Sequence, residues 1–210
     1  MQIVWLLQGE VHLRYDAAPR GDGMKVICIS GKAQHGKDTS ANLLKMMLET
    51  DGYKVLIAHY GDLVKYICKT FFDWNGEKDV YGRSLLQRIG TDVIRRQEPD
   101  YWVSFVADIL KFFDGEWDYV LIPDSRFPNE VDYLKEHGFD VIHMRVIRQN
   151  FVSPLTPEQQ KHPSETALDN VLPDHYINNY GTLNDLRDTI SGLITEINGC
   201  HQISFAEIGG

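Results

Sequence analysis

The sequence predicts an α/β fold with a mostly parallel sheet of five strands, helices on both faces and a lid. Three observations support it. Short apolar runs alternate with helix-periodic segments along the chain. A glycine loop joins the first apolar run to the first helical segment, and residues 148–170 contain three prolines and no long periodic pattern. Alternating strands and helices need crossover connections, which make the strands parallel.

The strand and helix patterns follow one another in a regular order. Predicted strands lie at residues 25–30, 54–58, 117–122, 139–147 and 175–179. Predicted helices lie at 37–51, 63–68, 82–97, 101–113, 130–137 and 183–197. The first strand, helix and second strand occupy about 35 residues, which predicts a right-handed crossover and direct parallel pairing of those two strands.

The composition is that of one ordinary globular domain. The chain has 210 residues, of which 43% are hydrophobic and 24% charged. We divide it into an N-terminal appendage at residues 1–23, a main domain at 24–199 with its lid at about 148–170, and a tail at 200–210. Two interpretations of the appendage stay open: a small hairpin around residues 8–10, or a stretch ahead of a functional start at Met24.

Charge and cysteine content exclude several classes of function. The formal net charge of −9 argues against a nucleic-acid-coating protein, so a nucleotide should be bound in a local basic pocket. No apolar run approaches the roughly 20 residues of a membrane span, and charges interrupt the N-terminal stretch where a signal peptide would lie. Cys28, Cys68 and Cys200 are odd in number and widely spaced, which indicates a reducing, cytoplasmic compartment and no metal cluster.

The glycine loop has the spacing of a phosphate-binding loop. Its sequence, Gly-Lys-Ala-Gln-His-Gly-Lys-Asp-Thr at residues 31–39, stands in the strand–loop–helix setting that such a loop requires. Its N–H groups and the helix N-terminus would face an anion, and Lys37 should reach the β- and γ-phosphates. The residues assigned to the nucleotide phosphates are Gly31, Ala33, Gln34, His35, Gly36, Lys37, Asp38, Thr39 and Ser40. The alternative is a glycine turn that only caps a helix.

One position departs from the common loop pattern. Asp38 stands where a Ser or Thr hydroxyl usually meets magnesium, and Thr39 follows one residue later. A carboxylate is a good oxygen ligand for Mg²⁺, either directly or through water. We therefore expect the metal to meet residues drawn from Asp38, Thr39 and Asp124.

Other polar residues follow the predicted strands at their carboxyl ends, where ligands bind in parallel sheets. Asp124 has two interpretations: a carboxylate that serves magnesium and catalysis, or a cap for the next helix. Arg126 would bind a phosphate or pair with a nearby carboxylate. Asp62 and Lys65, which follow the second strand, are assigned to the substrate side.

Arginines on a helix and in the lid are further candidates. Arg88 and Arg95 are seven residues apart, so a regular helix would place them on one face, where they would bind an acceptor phosphate or be solvated. Arg148 begins the lid and is the expected catalytic lid cation, since a lid excludes water from phosphoryl transfer. Residues 162–165 either close over the substrate through Glu165 or begin a helix capped by Ser164.

Four motifs, in order along the chain, resemble those of deoxynucleoside monophosphate kinases of the phage and bacterial type. They are the loop, Leu-Gln-Arg-Ile-Gly-Thr-Asp at 86–92 with Arg95 and Tyr-Trp-Val at 101–103, Asp-Ser-Arg-Phe-Pro-Asn-Glu at 124–130, and His-Pro-Ser-Glu at 162–165. The resemblance covers residues 24–197. The loop alone is shared with many kinases, whereas the ordered set is more specific. Ser125 departs from it, because an apolar residue is expected there.

The resemblance implies a P-loop kinase fold, ATP with Mg²⁺, and transfer of the γ-phosphoryl group to a deoxynucleoside 5′-monophosphate. The loop would hold the donor phosphates. Arg88, Arg95, Trp102 and Arg126 would contact the acceptor, and Arg148 would be the lid residue. Small nucleotides are the expected partners, with no nucleic acid and no membrane. A homodimer is left open.

Two alternative functions remain open. One is a P-loop kinase of another small phosphorylated acceptor. The other is a nucleotide-binding regulator or NTPase that reports to a protein partner. Dependence of ATP turnover on an added monophosphate would separate them from the expected kinase.

Overall fold

The computed structural model describes the backbone of residues 23–203 and the side chains of residues 23–197. Both interpretations of the N-terminal appendage therefore lie outside the described residues, as does the end of the tail from residue 204 onward. Within residues 23–203, no helix is long and apolar enough to cross a membrane.

The sheet has five strands, and every pairing is parallel, as predicted. The strands are β1 (Lys25–Ser30), β2 (Val55–Ile57), β3 (Tyr119–Ile122), β4 (Asp140–Ile147) and β5 (His175–Asn178). The glycine loop joins β1 to the first helix. This is the arrangement of a P-loop fold, with the loop at the carboxyl end of the middle strand.

The strand order, β2-β3-β1-β4-β5, corrects one expectation. The predicted direct pairing of the first two strands is wrong, because β3 lies between them. Val26 of β1 pairs with Val120, and Val55 of β2 pairs with Tyr119. Every residue of β3 is buried, whereas β2 is partly exposed, as expected for an inner strand and an edge strand.

Helices cover both faces of the sheet. They are α1 (Lys37–Thr50), α2 (Gly61–Phe71), α3 (Val80–Gln87), a π-helix (Arg88–Arg95), α4 (Tyr101–Phe112), α5 (Pro128–Glu136), α6 (Pro157–Lys161), α7 (Pro163–Thr166) and α8 (Leu183–Ile203). Alternate β1 side chains enter two cores. Val26 and Cys28 pack with α2, α4, α5 and the π-helix, while Ile27 and Ile29 pack with α1 and α8. Cys28 is fully buried.

The helix predicted at 82–97 is not regular, because α3 continues into the π-helix. A π-helix closes its hydrogen bonds five residues apart, so seven residues no longer complete two turns. The expectation that Arg88 and Arg95 share a face is therefore wrong. Arg88 is exposed, whereas the Arg95 side chain is only 10% exposed.

The proline-containing lid is more regular than its sequence indicated. It carries α6 and α7, each with proline at the start, where the missing N–H costs nothing. Thr156 and Gln159 form a capping box for α6. The cap of α7 is His162, whose side chain accepts from the Ser164 N–H, and not Ser164 as expected.

Candidate active site

The glycine loop has the backbone that an anion cradle needs. Gly31 and Gly36 have φ values of +145° and +100°, which favour glycine. A Cβ at Gly31 would lie 2.6 Å from the Val146 carbonyl oxygen, and one at Gly36 would lie 2.4 Å from Nδ2 of Asn179. The Asn179 amide donates to the His35 carbonyl at 2.8 Å and so fastens the loop to the end of β5. Both glycines are therefore required by close packing as well as by φ.

Lys37, the first residue of α1, is folded back over the loop. Its Nζ donates to the carbonyls of Gly31 at 2.8 Å and Lys32 at 2.9 Å. Burial lowers the pKa of the Lys37 ammonium to about 8, and the nearby charge of Arg126 acts in the same direction. Lys37 is thus a buried cation with no carboxylate bonded to it, next to a ring of backbone amides.

The carboxylate of Glu165, on the lid helix α7, lies against the loop. Its Oε2 accepts from the Ala33 N–H at 3.0 Å, and its Oε1 accepts from Arg126 at 2.5 Å. The side chain is only 6% exposed. An amide of the loop and a guanidinium therefore already hold one negatively charged group, at the place where a phosphate would be expected.

A first cavity of about 370 Å³, cavity A, lies along one side of the loop. Its walls include Gln34 and residues 36–39 of the loop, Arg148, Asn179, and the start of α8. Arg148 stacks on Phe151, with its guanidinium carbon 4.6 Å from the ring centroid. The backbone N–H of Arg148 donates to His35 Nδ1 at 3.2 Å. Arg148 therefore lies beside the donor loop and is not among the residues that line the second cavity.

A second cavity of about 430 Å³, cavity B, shares Gln34, Lys37 and Asp38 with cavity A. One part of its wall is apolar and aromatic. Those residues are Tyr60, Val64, Leu86, Trp102, Pro123, Phe127 and Leu155. Trp102 is fixed by its indole N–H, which donates to the Gly90 carbonyl at 2.8 Å. A flat, rigid, apolar wall of this kind suits an aromatic ring.

The other part of the cavity B wall is cationic, and its cations differ in how they are paired. Arg95 and Arg126 form ion pairs with Glu130 and Glu165, and Lys65 pairs with Asp62 at 2.7 Å. Lys37 is bonded to loop carbonyls, and the remaining two cations are Lys78 and Arg83.

Neither Lys78 nor Arg83 has a side-chain hydrogen bond or ion pair to any residue within 23–197. Burial and the neighbouring charge of Lys65 lower the pKa of Lys78. A bound anion would therefore stabilise these two cations of cavity B by direct contact.

Asp124 joins the ends of two strands. Its carboxylate accepts from the N–H groups of Tyr60 at 3.0 Å and Gly61 at 2.8 Å, at the start of α2. It therefore caps the helix after β2 and not the helix that follows it in sequence, as the capping alternative had it. It also lines cavity B, so the predicted convergence of the strand ends is confirmed for the loop, Gly61 and Asp124.

Asp38 is the carboxylate best placed for a metal ion that accompanies phosphates. Its side chain is 77% exposed and lines both cavities, whereas Thr39 lines only cavity A. His59 Nε2 lies 3.3 Å from Asp38, and His59 Nδ1 lies 3.6 Å from Asp62. The hydrogen bond between them raises the pKa of His59 and lowers that of Asp38. Among the described side chains, no group of three or more His, Cys, Asp or Glu forms a ready metal site.

Five predicted site residues line neither cavity, namely Gly31, His35, Ser40, Asp62 and Arg88. Ser40 is fully buried in α1, and its hydroxyl has no hydrogen-bond partner among the described residues. Arg88 is exposed on the π-helix. His35, predicted to meet phosphates, is turned instead toward the end of β4, where its ring packs edge-on against Phe151 at 5.9 Å.

Sequence reasoning missed Lys78, Arg83 and Asn179. Arg83 lies three residues before Leu86, a cavity B residue, so helical periodicity would have placed it on the same face. Asn179 directly follows β5, at a strand carboxyl end where ligands bind. Lys78 lies in a loop before α3, and nothing in its local sequence marks it.

Comparison with known proteins gives a family match. A family model described as deoxynucleotide monophosphate kinase matches residues 62–190. The deoxynucleotide monophosphate kinase of Enterobacteria phage T4 is 32% identical over 114 residues, which are 53% of this chain and 44% of that protein. The enzyme of the same name from Escherichia phage RB69 is 30% identical over the same shares. The chain thus spans less than half the length of these relatives.

Solved structures give partial overlaps. Dephospho-CoA kinase from Campylobacter jejuni has a TM-score of 0.48 at 15% identity, covering 83% of this chain and 98% of that one. Shikimate kinase from Acinetobacter baumannii has a TM-score of 0.46 at 11% identity, covering 84% and 93%. The P-loop fold of this chain is identified from its own strand order and glycine loop.

Proposed function

The chain belongs to the deoxynucleotide monophosphate kinase family, and we propose that it transfers the γ-phosphoryl group of ATP to a deoxynucleoside 5′-monophosphate. An oxygen of the acceptor phosphate attacks the γ-phosphorus. The bond from that phosphorus to the β,γ-bridging oxygen breaks, and ADP leaves with the electron pair. The product is the deoxynucleoside diphosphate.

The arrangement of cavity B carries this proposal. It combines an apolar, aromatic wall with two unpaired cations, Lys78 and Arg83, and it meets the glycine loop at Lys37. A nucleoside monophosphate has the matching parts, a flat base and a dianionic phosphate. Its phosphate would lie close to the donor phosphates on the loop. A regulator that only binds and hydrolyses a triphosphate has no need of this second cavity.

Each residue then has a role in binding or in charge stabilisation, because phosphoryl transfer needs little covalent help from the protein. Lys37 and the loop amides bind the donor phosphates. Lys78 and Arg83 bind the acceptor phosphate, and Trp102 forms part of the base pocket. Arg126 stabilises the charge on the transferring group, while Arg148 binds the donor from cavity A.

Magnesium fits the residues present as a partner of the bound nucleotide. Asp38 would be its main protein ligand, because its carboxylate is exposed to both cavities. Asp124 would act through water, since two backbone N–H groups already hold its oxygens. The ion, when bound, supplies neutralisation of phosphate charge.

The test is transfer from ATP to a panel of acceptors in the presence of Mg²⁺. The panel holds the four deoxynucleoside monophosphates, their ribose counterparts and phosphorylated small molecules without a base. We expect product only with one or more deoxynucleoside monophosphates. Transfer only to a base-free acceptor, or ATP turnover that ignores every acceptor, would contradict the proposal.

The matched variants are Lys37→Met and Lys45→Met. Lys37→Met should lower kcat by at least about 100-fold, because it removes the cation that meets the phosphates. Lys45 lies in the same helix, pairs with Glu49 and lines neither cavity, so its replacement should leave kcat unchanged. Thermal unfolding of both variants checks that the fold is intact.

A further inference from the structure

Arg95 lies in the wall of cavity B, but its hydrogen-bond donors face the protein. Both N–H groups of Nη1 are used, one by the Pro99 carbonyl and one by Oδ1 of Asn129, each at 3.2 Å. Its Nη2 donates to Glu130 Oε1 at 2.5 Å. Its planar face stacks on Phe127, with 4.0 Å between the guanidinium carbon and the ring centroid. Three of its five N–H donors are therefore taken by protein groups, and its side chain is only 10% exposed.

Glu130, the partner of Arg95, holds the turn that carries Arg126. Its Oε2 accepts from the N–H of Arg126 at 2.6 Å and from the N–H of Phe127 at 3.1 Å. The Glu130 side chain is 2% exposed, so its orientation depends on the groups that bond to it. Burial raises the pKa of this carboxyl, and the charge of Arg95 opposes that rise.

The Arg95–Glu130 ion pair and the hydrogen bonds that Glu130 accepts from the turn connect the π-helix to the active site. Arg95 is the last residue of the π-helix, Glu130 belongs to α5, and Arg126 lies between β3 and α5. The Arg126 guanidinium in turn reaches Glu165 beside the loop amide of Ala33. A shift of Glu130 would move the Arg126 backbone, and with it the guanidinium, relative to the loop.

From this geometry we infer that Arg95 is a positioning residue, which aims Arg126 at the glycine loop through Glu130 and does not bind the acceptor phosphate. The inference builds on the proposed function, because it gives Arg126 the contact with the transferring group. It also separates the arginines of cavity B by task. Arg83 binds, Arg126 stabilises charge, and Arg95 orients.

A double-mutant cycle between Arg95 and Arg126 tests the inference by kcat/KM. Arg126→Met should lower kcat/KM by about 100-fold. Arg95→Met should lower it by about 10-fold alone, mainly through kcat, but by less than about 2-fold when Arg126 is already Met, because both changes disable the same group. Equal losses in the two backgrounds, or a loss seen mainly as a higher acceptor KM, would show a direct acceptor contact and overturn the inference.

A second genetic background tests whether Arg95→Met lowers activity only by destabilising the fold. Arg95→Met leaves the buried Glu130 carboxylate unpaired, which is destabilising. The substitution is therefore repeated with Glu130→Gln, which removes the charge and keeps an oxygen for the two N–H groups. There, Arg95→Met should cost less than about 3-fold in kcat/KM, whereas a direct acceptor contact would keep the full loss. Arg96→Met, an exposed neighbour that lines neither cavity, is the matched control.

An activity-independent measurement separates this inference from the proposed function. The Nε–H resonance of Arg126, identified by its loss in Arg126→Met, should shift or broaden in Arg95→Met and stay unchanged in Arg96→Met. An unchanged resonance in Arg95→Met overturns the positioning role whatever the enzyme does. Absence of transfer to every acceptor by the wild type, with a shifted resonance, would sink the proposed function alone.

Discussion

Among single residues, Glu165 has the most consequential environment. Its carboxylate is held by a loop amide and by Arg126, so a negative charge already lies where a phosphate of the donor or acceptor would enter. Like charges in a poorly solvated site repel strongly. Nucleotide binding must therefore displace Glu165 or move it, and the carboxylate should weaken ATP binding in the absence of the acceptor.

We expect Glu165→Gln to bind Mg·ATP about 5-fold more tightly than the wild type when no acceptor is present, a change of about 1 kcal/mol. The amide keeps the shape of the side chain and removes the charge. Isothermal titration calorimetry measures the Kd. Asp169→Asn is the control. This carboxylate lies on the same lid as Glu165, pairs with Lys32 of the glycine loop and is 48% exposed. Unchanged or weaker ATP binding by Glu165→Gln would contradict the prediction.

His143, in the middle of β4, should make the stability of the protein depend on pH. It is 2% exposed and bonded to the Ser30 hydroxyl at 2.8 Å. Burial, together with the charge of Arg145, lowers the pKa of His143 to about 4 from an ordinary value of 6.5. As the pH falls below 6.5, the unfolded chain takes up this proton first. The contribution of His143 to stability is therefore present above pH 6.5 and is lost toward pH 4.

The free energy of unfolding should fall by about 2 kcal/mol between pH 6.5 and pH 5 because of this group. Urea unfolding at several pH values measures the fall in the wild type and in His143→Gln. The glutamine cannot be protonated, so the variant should lose less stability over this interval. Equal pH slopes in the two proteins would show that His143 is not the responsible group.

Among the elements, the π-helix decides the shape of cavity B. Gly90 lies within it, supplies the carbonyl that fixes Trp102, and lines the cavity with Val64 of α2. A Cβ on Gly90 would lie 3.3 Å from a Val64 methyl group, which is tighter than ordinary contact. A side chain at this position would therefore push α2 and the π-helix apart.

Gly90→Ala should lower the free energy of unfolding by about 1–2 kcal/mol, as an overpacked site does. It should also raise the acceptor KM, because the contact lies in the cavity wall. Denaturant unfolding and steady-state kinetics measure the two effects. A stable variant with normal acceptor KM would show that the helices can separate freely.

Gly192→Ala is the matched control for helical glycine. Gly192 lies in α8, and no atom within 4 Å would meet its Cβ. Alanine there should raise the free energy of unfolding by about 0.5–1 kcal/mol, since it restricts the unfolded chain and favours the helix. It should leave the acceptor KM unchanged.

For the whole molecule, the decisive feature is that two cavities meet at one lysine and one aspartate. Lys37 and Asp38 line both, so donor and acceptor phosphates would share one short region. A single ligand that joins the two substrates should occupy both cavities at once. Its binding would need the fold of the whole domain, because the glycine loop, the turn after β3, α3 and the lid all contribute walls.

A compound that links adenosine and a deoxynucleoside through five phosphates should bind at least about 100-fold more tightly than ATP. Adenosine tetraphosphate, which lacks the second nucleoside, should bind about as ATP does. Calorimetry with wild type and Lys37→Met measures both ligands. Equal affinities for the linked compound and ATP would mean that the cavities do not form one bisubstrate site.

Much of this architecture follows from local sequence. The strand–loop–helix setting of residues 25–50, the parallel sheet and the convergence of Asp124 with the loop were predicted correctly, because apolar runs, glycine spacing and strand ends are local signals. Trp102 and Arg126, which the family resemblance pointed to as acceptor contacts, both line cavity B. The sequence also named Gly31, His35, Ser40, Asp62 and Arg88, which line neither cavity.

By itself, the sequence determined the phosphate loop, the class of fold and the resemblance to a kinase family, since these depend on residue type and spacing. Only the tertiary structure decided the inner place of β3, the π-helix that separates Arg88 from Arg95, and the pairing of each cavity B cation. Burial, competition between strands for the middle of the sheet, and the choice of ion-pair partners depend on residues far apart in the chain. Which arginine binds and which one orients is therefore set by packing that local spacing does not encode.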